Sequence, residues 1–538
     1  MAERRIMSVK IKQKNKDSST SDQMYDKKLV SDSLQIVAKG TSIVLIGTII
    51  GSVLAAIFPI IIARSYSPAE FGAYALAMTV FLFLAQISFL GLDDGCPRHI
   101  AFYRGKKDYG KVKDTIRSSF EFIIFSSVAA SIILFVSAEW ISITLFNTSQ
   151  LTKPLQVLSF ALPFWLVVMF IVSVFRGFDR SKENVYFSNI LFNAGKILFV
   201  IPVIVLGLAF DYIFYAFTLN IIVIFFIAII YYKKKSPKEI RLKQSEDSVR
   251  KDLLLFSLPL VFSGMSWFFL QATDKFMIGF LMQNYDVGLY NTACTVSGYL
   301  NIFLVSLMFI YQPVGTKLHG EGKTNEIRKL YQIITKWIFL IASPIIMFVI
   351  LQPGLTISIL FSSSYLGAAV PLLLLFIAYT LRVCLGPAGG TVIMLGKTRQ
   401  LMYIVIVMAI TNIVLNWFLI PIYGISGAAL ATGVSILLLS VFELLLLHAI
   451  SSIQPITTVY GKILAIFATI LALAYLITTY APISFSTLAK VLLLVASYFL
   501  FVLMAVAFNL FTEEDLLLVE LVEKKLGMKI PLIRRLIR

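Results

Sequence analysis

Fourteen apolar segments, each long enough to cross a lipid bilayer, constrain the fold of this chain more than any other feature. An α-helix rises ~1.5 Å per residue, so ~20 residues cross a hydrocarbon core ~30 Å thick. Backbone N–H and C=O groups in lipid must be hydrogen-bonded within the protein, so each segment is predicted to be a helix. The predicted spans cover about residues 35–63, 70–92, 118–146, 154–176, 184–208, 211–232, 252–281, 286–312, 331–352, 366–388, 400–421, 424–447, 462–480 and 486–510.

The composition agrees with an all-α polytopic membrane protein. The chain has 538 residues, of which 58% are hydrophobic and 14% are charged, whereas soluble proteins approach roughly 25% charged. The net charge of +18 could indicate nucleic-acid binding, but the lysines and arginines lie in short loops between apolar segments. That distribution is typical of membrane topology, so no nucleic-acid partner is expected.

The basic residues predict the orientation of the chain. Seven Lys or Arg residues follow span 2, three follow span 4 and eight follow span 6, whereas the opposite loops hold almost none. The positive-inside rule therefore places these basic loops and both termini in the cytoplasm. The polar N-terminal tail lacks the apolar stretch of a cleavable signal peptide, and we expect a multi-pass protein of the cytoplasmic membrane.

Three pairs of segments indicate that the chain is a duplicated unit. Residues 70–80 (EFGAYALAMTV) and 286–296 (DVGLYNTACTV) share an acid, a glycine, a tyrosine and Thr-Val at an offset of 216. Two further pairs follow in the same order at offsets of 216 and 219, namely residues 102–114 with 318–330 and residues 192–202 with 411–421. Each copy carries six spans, and an even number keeps two repeats parallel in the membrane.

The duplication and the polar segments divide the chain into six parts. A disordered basic cytoplasmic tail precedes a first six-span lobe, the N-lobe, and a basic cytoplasmic linker joins it to a second, the C-lobe. Two additional spans and an amphipathic cytoplasmic tail follow. The predicted bounds are, in order, 1–32, 33–232, 233–251, 252–447, 461–511 and 512–538.

The chain lacks the usual signatures of an enzyme. Cys96, Cys294 and Cys384 have no paired spacing, and the three histidines are isolated, so neither a disulfide framework nor a metal site is predicted. No phosphate-binding loop of the Gly-x-x-x-x-Gly-Lys-Ser/Thr type is present. Membrane-embedded glycosyltransferases and polysaccharide polymerases typically hold their acceptor on a large external loop. The predicted outer loops here have roughly 5 to 15 residues and are too short for that. We therefore expect no catalytic residue, no cofactor and no enzymatic activity.

Span 7 carries adjacent charges, Asp274 and Lys275, and Gln271 lies one helical turn before them. A polar stripe costs free energy against lipid, so it should face protein or a water-filled cavity. Two interpretations remain open. The charges form a buried ion pair that fixes helix packing, or the stripe lines a transport path, with Asp274 and Gln271 in the cavity or in ion coupling.

Three segments resemble one transporter family. They are SPAEFGAYALAMTV (67–80), TDKFMIGFLMQNYDVGLYNTA (273–293) and YGISGAALATGVS (423–435). The chain resembles the polysaccharide flippase branch of the multidrug/oligosaccharidyl-lipid/polysaccharide exporters, the Wzx-type O-antigen and lipid-linked oligosaccharide flippases, over about residues 35–511. This resemblance implies two six-helix bundles in a V shape around a central cavity, two additional C-terminal helices, and alternating access.

Such a substrate carries a phosphate or diphosphate, which cannot cross hydrocarbon unless cations line its route. The cations within or at the edges of spans are Lys39, Arg64, Lys196, Lys275 and Arg382. Lys39 and Arg64 could instead extend to an interface, and Arg382 could pair with an acid such as Glu443. Lys196 lies near the middle of span 5, where its repeat mate is Leu415 in the alignment of residues 192–202 with 411–421, and we expect it to face the central cavity and bind the phosphate.

The resemblance predicts a flippase that moves a polyprenyl-phosphate-linked oligosaccharide across the cytoplasmic membrane for cell-surface polysaccharide or glycan biosynthesis. Its expected partners are the polyprenyl-linked glycan, membrane lipids, and glycosyltransferases or a polymerase of the same pathway. Two alternatives remain. One is a cation-coupled multidrug exporter of the same fold, in which acids dominate the cavity. The other is a non-transporting subunit of a glycan assembly complex.

Overall fold

The computed structural model describes residues 46–180, 182–236, 248–480, 487–508, 510–511 and 515. Throughout this part of the chain the regular secondary structure is helical, without a strand. The helices in chain order are α1 (Ile46–Ser65), α2 (Pro68–Ser88), α3 (Leu92–Gly105), α4 (Tyr109–Trp140), α5 (Thr152–Gly177), α6 (Lys182–Val205), α7 (Tyr212–Lys235), α8 (Arg250–Leu281), α9 (Asn284–Gly298), α10 (Leu300–Gly320), α11 (Thr324–Leu351), α12 (Pro353–Leu360), α13 (Ala369–Leu385), α14 (Ala388–Met394), α15 (Thr398–Ser451), α16 (Thr458–Tyr480) and α17 (Thr487–Ala507).

The helices confirm an all-α polytopic membrane protein. Among the described residues, twelve helical segments are long and apolar enough to cross a bilayer. A thirteenth is α8, whose first arm (Arg250–Ser266) and second arm (Phe268–Leu281) are bent by 50°. Helix α15 has 54 residues and is interrupted at Gly424, where φ is 58° and ψ is −138°. At ~1.5 Å per residue such a length suffices for two crossings. The predicted number of fourteen spans is close to this count and stays a prediction.

The basic segment after span 2, which we expected to be a loop, is largely helical. Helix α3 occupies Leu92–Gly105, and α4 begins at Tyr109 rather than near residue 118. Apolar length alone predicts the part of a helix inside the bilayer, whereas these helices continue beyond it through polar sequence. The N-terminal tail, most of the linker and most of the C-terminal tail lie outside the described residues, so the predicted lobe and tail boundaries stay predictions.

The acid that recurs in the duplicated motif has a structural role in both copies. Ser67 and Glu70 form a capping box at the start of α2, and Gln283 and Asp286 form one at the start of α9. The two caps are 216 residues apart, which is the offset of the repeat. Each carboxylate accepts a hydrogen bond from the backbone of its cap residue, an arrangement that contributes about 1 kcal/mol to helix stability.

The same two helices cross at a pair of glycines. A Cβ atom added to Gly72 would lie 1.7 Å from the carbonyl oxygen of Asn284, and one added to Gly288 would lie 1.9 Å from the carbonyl oxygen of Pro68. The contact is reciprocal, because both glycines and both carbonyl groups are related by the offset of 216. Such an isologous contact is expected on a local two-fold axis between parallel repeats.

Polar contacts join the lobes at the end of the molecule where α1 meets α2, the predicted outer end. The hydroxyl of Tyr365 donates to the carbonyl oxygen of Tyr66 at 3.2 Å, and the amide of Asn284 donates to Thr148 Oγ1 at 3.2 Å. At the opposite, predicted inner end, the first arm of α8 packs on α3 and α4. There the guanidinium of Arg98 lies 3.8 Å from the centre of the Phe256 ring.

We predict that Gly72→Ala lowers the thermal stability of the purified protein. The added methyl group would overlap backbone, which cannot rotate away, and overpacking of this kind costs roughly 1–3 kcal/mol. Gly298→Ala is the matched control on α9, since its added Cβ meets nothing within 4 Å. Thermal unfolding in detergent compares the two variants. Equal melting temperatures for both would show that the crossing is looser than the structure indicates.

Candidate functional site

Asp274 lies at the centre of a buried polar network in the C-lobe. Its side chain belongs to α8, and the residue is only 2% exposed. Tyr290 on α9 donates a hydrogen bond to Asp274 Oδ2 at 2.6 Å, and Thr432 on α15 donates to the same oxygen at 3.3 Å. The backbone N–H of Lys275 donates to Oδ1 at 2.8 Å. Three helices therefore hold one carboxylate within the span region.

The network continues through two asparagines of the first arm of α15. Asn412 donates to Thr432 Oγ1 at 3.1 Å, and Asn416 donates to Asn412 Oδ1 at 3.1 Å. Both amides are fully buried, and within the described part of the chain Asn416 Oδ1 has no hydrogen-bond partner. The sequence analysis missed both amides, although two asparagines four residues apart in an apolar helix are a readable signal. Carboxylate, amide and hydroxyl oxygens are ligands that suit a hard cation.

Arg382 and Glu443 line a cavity of about 420 Å³ between α8, α10, α13 and α15, here called the C-lobe cavity. Arg382 Nη2 lies 3.9 Å from Glu443 Oε2, and Arg382 Nη1 donates to Ser440 Oγ at 3.3 Å. Gln271 lines the same cavity, one turn of α8 before Asp274. The pairing with Glu443 considered from the sequence is thus present, and the pair faces open space.

A second cavity, of about 500 Å³, shares Arg382 and Glu443 with the first and extends to Asp94 of α3 in the N-lobe. We call it the interlobe cavity. It reaches Thr398, the first residue of α15, at the predicted inner end. The break at Gly386 shapes this region, since its φ of 80° favours glycine and an added Cβ would lie 2.2 Å from Thr335 Oγ1.

A third cavity, of about 340 Å³, is lined mainly by α2 and α5 and is called the N-lobe cavity. Trp165 and Arg176 line it, together with Phe268 of the second arm of α8. Arg176 Nη2 lies 2.7 Å from Asp94 Oδ1 and also donates to the carbonyl oxygen of Asp93. The charges of Arg176 and Asp94 therefore offset each other at the boundary between the lobes.

Lys196 packs between two aromatic rings in the N-lobe. Its Nζ atom lies 4.8 Å from the centre of the Phe58 ring on α1 and 4.7 Å from that of Phe192 on α6. A cation over ring faces gains about 0.5–2 kcal/mol, which offsets part of its desolvation. These rings are partners that the sequence analysis did not consider. The expectation that Lys196 binds the phosphate in the central cavity stays a prediction.

Arg64 and Lys275 are not among the residues that line the C-lobe cavity or the interlobe cavity. Arg64, at the end of α1, is exposed; its Nε donates to the carbonyl oxygen of Leu360 at 3.0 Å, and its Nη2 donates to that of Ile359. It therefore joins the lobes at the predicted outer end. Lys275 is partly buried beside Asp274, and Lys39 lies outside the described residues. Of the predicted site residues, the structure brings Gln271 and Arg382 to one cavity, with Asp274 one helical turn from Gln271.

The sequence matches two family patterns. The polysaccharide biosynthesis protein pattern matches residues 37–319, more than half of the chain, and the MatE pattern matches residues 259–418. The chain belongs to the polysaccharide biosynthesis protein family. Members of this family and of the MatE family are membrane transporters, which agrees with the many apolar helices of this protein.

Similar curated proteins come from archaea and bacteria. An uncharacterized membrane protein of Methanocaldococcus jannaschii is 22% identical over 76% of this chain and 83% of its own length. The capsular polysaccharide biosynthesis protein CapF of Staphylococcus aureus is 26% identical over 50% of this chain and 72% of its own length. The probable flippase AglR of Haloferax volcanii is 26% identical over 39% of this chain and 44% of its own length.

Solved structures share the fold. The lipid II flippase MurJ in an inward closed conformation superposes with a TM-score of 0.67 at 16% identity, over 85% of this chain and 97% of MurJ. An inward-facing multidrug resistance MATE transporter of the MOP superfamily superposes with a TM-score of 0.62 at 15% identity, over 76% of this chain and 98% of that one. The protein therefore has the MurJ and MATE fold, as the sequence resemblance predicted.

We predict that Tyr290→Phe destabilises the protein more than Tyr74→Phe. The two tyrosines are repeat mates, 216 residues apart, but the position of Asp274 is taken by Phe58 in the N-lobe copy. Loss of the Tyr290 hydroxyl leaves a buried carboxylate without its shortest donor, which costs about 1–3 kcal/mol. Thermal unfolding of both variants measures the difference. Equal shifts would show that Tyr290 contributes through its ring alone.

Proposed function

We propose that this protein is a flippase that moves a polyprenyl-phosphate-linked oligosaccharide across the cytoplasmic membrane by alternating access. The observation that carries this proposal is Arg382, a cation within the span region that lines cavities reaching both lobes. A phosphate leaves water only if an opposite charge meets it, because an isolated anion is very costly in hydrocarbon. Membership of the polysaccharide biosynthesis protein family supports a glycan-linked substrate.

The geometry of Arg382 suits an exchangeable anion. Its guanidinium can form two parallel hydrogen bonds with a phosphate, whereas its separation of 3.9 Å from Glu443 is longer than a normal hydrogen bond. A substrate phosphate would therefore replace a weak partner, and Glu443 would neutralise Arg382 again after release. Gly389 permits this arrangement, since an added Cβ would lie 2.5 Å from Glu443 Oε1.

The arrangement of contacts supports alternating access. The predicted outer end is held by the backbone contact of α2 with α9 and by the hydrogen bond of Tyr365 with Tyr66. The interlobe cavity reaches the predicted inner end at Thr398. A lipid-linked glycan assembled in the cytoplasm would enter from that end. Release of the substrate at the outer end would require α2 and α9 to separate. The contacts of the first arm of α8 with α3 and α4 would then close the inner end.

The Asp274 network favours coupling to a monovalent cation. Asp274 supplies a negative charge, and Thr432 and Asn416 supply neutral oxygens. The hydrogen bonds tie α8 and α9 to both arms of α15, which the bond from Asn412 to Thr432 joins. A cation bound there would alter how these helices pack, which is the requirement for coupling. Coupling of this kind serves a flippase and a multidrug exporter equally. Glycosyltransferases or a polymerase of the same pathway remain proposed partners.

Deletion of the gene should make lipid-linked oligosaccharide accumulate in the cytoplasmic leaflet. When expressed in the deletion strain, Arg382→Gln should restore transport at least about tenfold less well than the wild-type protein, because the charged hydrogen bonds to phosphate are lost. Arg382→Lys should be intermediate, because an ammonium cannot bind two phosphate oxygens in a planar fork. Arg399→Gln, an exposed arginine beside Tyr403, is the control. Lys196→Ala tests the sequence prediction in the same assay.

Normal export in the deletion strain would contradict the flippase proposal. Loss of glycan export without accumulation on the cytoplasmic side would instead favour a non-transporting subunit of an assembly complex. Full activity of Arg382→Gln would remove the phosphate assignment while leaving the flippase proposal in place.

A separate prediction concerns the cation. Sodium chloride should raise the melting temperature of the wild-type protein above that in choline chloride of equal concentration, because a ligand that binds only the folded state stabilises it. Asp274→Asn should abolish that difference, whereas Asp94→Asn, an exposed carboxylate paired with Arg176, should retain it. An equal response of wild type and Asp274→Asn to sodium would contradict a cation site at this carboxylate.

A further inference from the structure

The N-lobe cavity is the repeat copy of the C-lobe and interlobe cavities, which Arg382 lines. Six lining positions of α5 and α6 recur 217 residues later among the lining residues of the C-lobe and interlobe cavities. The pairs are Trp165 and Arg382, Met169 and Gly386, Val172 and Gly389, Ser173 and Gly390, Arg176 and Ile393, and Asn184 and Leu401. Agreement at one offset within the range of the sequence repeat shows that the repeat brings equivalent helix faces to both cavities.

The chemistry of the two copies differs at equivalent positions. Where the C-lobe presents the guanidinium of Arg382, the N-lobe presents the indole of Trp165. Where the C-lobe has the apolar Leu401, the N-lobe has Asn184. The N-lobe side is therefore aromatic and hydrogen-bonding, and its arginine, Arg176, is paired with Asp94 at 2.7 Å. The C-lobe side presents Arg382, whose carboxylate partner is 3.9 Å away. A ligand that contacts both sides must carry an anionic group for Arg382. It must also carry a second group that packs on an aromatic ring and hydrogen-bonds to amide side chains.

Packing holds the indole of Trp165 in place. The centres of the Trp165 and Phe192 rings are 4.4 Å apart with an angle of 39° between their planes. Phe192 is itself packed against the Lys196 ammonium at 4.7 Å and against the Phe217 ring at 5.8 Å. A ring supported in this way is preorganised, so little conformational entropy is lost when a ligand contacts its cavity side.

The polar residues around Trp165 favour a carbohydrate over a lipid chain or a second phosphate. Gln86 and Asn184 line the cavity and offer amide donors and acceptors, which an isoprenoid chain would leave unsatisfied. Arg176 is already neutralised by Asp94 at 2.7 Å, so the described residues that line this cavity present no uncompensated positive charge to an anion. Sugars combine a face of C–H groups, which contacts aromatic rings, with hydroxyl groups that hydrogen-bond to amides and ion pairs.

We propose that Trp165 forms a sugar-stacking subsite in the N-lobe cavity, which binds the proximal sugar of the lipid-linked glycan while Arg382 binds its phosphate. This inference rests on the proposed flippase function and adds a specificity-determining residue to it. Sugar binding is assigned to the N-lobe and phosphate binding to the C-lobe, so the bound substrate would bridge the two lobes. Separation of the lobes during transport would then loosen both contacts together.

The experiment measures dissociation constants of the purified full-length protein for two probes, undecaprenyl diphosphate and undecaprenyl diphosphate linked to N-acetylglucosamine. Trp165→Ala should weaken binding of the sugar-bearing probe about tenfold and that of the bare probe less than about twofold, as expected for loss of one aromatic contact. Trp165→Phe should retain most of the affinity for the sugar-bearing probe. Trp417→Ala, which truncates an exposed tryptophan of α15, is the control and should change neither constant.

Unchanged binding of the bare probe also serves as the folding control for Trp165→Ala. The inference is overturned if wild-type protein binds both probes equally, or if Trp165→Ala weakens both to the same extent. Failure of the proposed function gives a different result, because wild-type protein would bind neither probe. If Arg382→Gln leaves the bare probe unaffected while Trp165→Ala still weakens the sugar-bearing one, the phosphate assignment fails and the sugar subsite stands.

Discussion

Gly72 and Gly288 allow helices α2 and α9 to approach until the backbone of each touches that of the other. No side chain larger than hydrogen fits at either position, and the contact is the same viewed from either helix. In a membrane, close packing of this kind provides much of the attraction between helices, because lipid is as apolar as the side chains. The crossing fixes how the two repeats are placed against each other. Equivalent faces of α5 and α13 then line the N-lobe cavity and the C-lobe cavity.

Charges within the span region are compensated in three different ways. Asp274 accepts hydrogen bonds from Tyr290 and Thr432, Lys196 lies against two aromatic rings, and Arg382 has a distant carboxylate partner. The first two compensations are short-range and built into the lobes. The third is loose and faces open space, so an anionic ligand could replace the carboxylate partner of Arg382. Asp274 carries the opposite charge and is proposed to bind a cation, and the phosphate-binding role of Lys196 stays a prediction.

Duplication followed by divergence explains how equivalent cavities of the two lobes present different surfaces, aromatic in the N-lobe and cationic at Arg382 in the C-lobe. Phe58 occupies the N-lobe position that corresponds to Asp274, and Trp165 occupies the position that corresponds to Arg382. The backbone frame is retained in both copies, including the capping boxes and the glycine crossing. The side chains at the two pairs of positions named above differ in charge and shape between the copies. An asymmetric substrate with a charged group and sugars matches an asymmetric pair of surfaces on a symmetric frame.

The sequence by itself determined the membrane class, the approximate positions of most spans and the internal repeat, because apolar length and a nearly constant offset are one-dimensional signals. It also identified Asp274 and Arg382 as costly residues, since a charge in an apolar span is visible without a structure. Only the tertiary structure decided which charge faces a cavity and which is enclosed. Asp274 and Thr432 are 158 residues apart, and Arg382 and Ser440 are 58 apart. Partners of a buried charge lie on neighbouring helices, and the hydropathy of one helix carries no information about which residues its neighbours present to it.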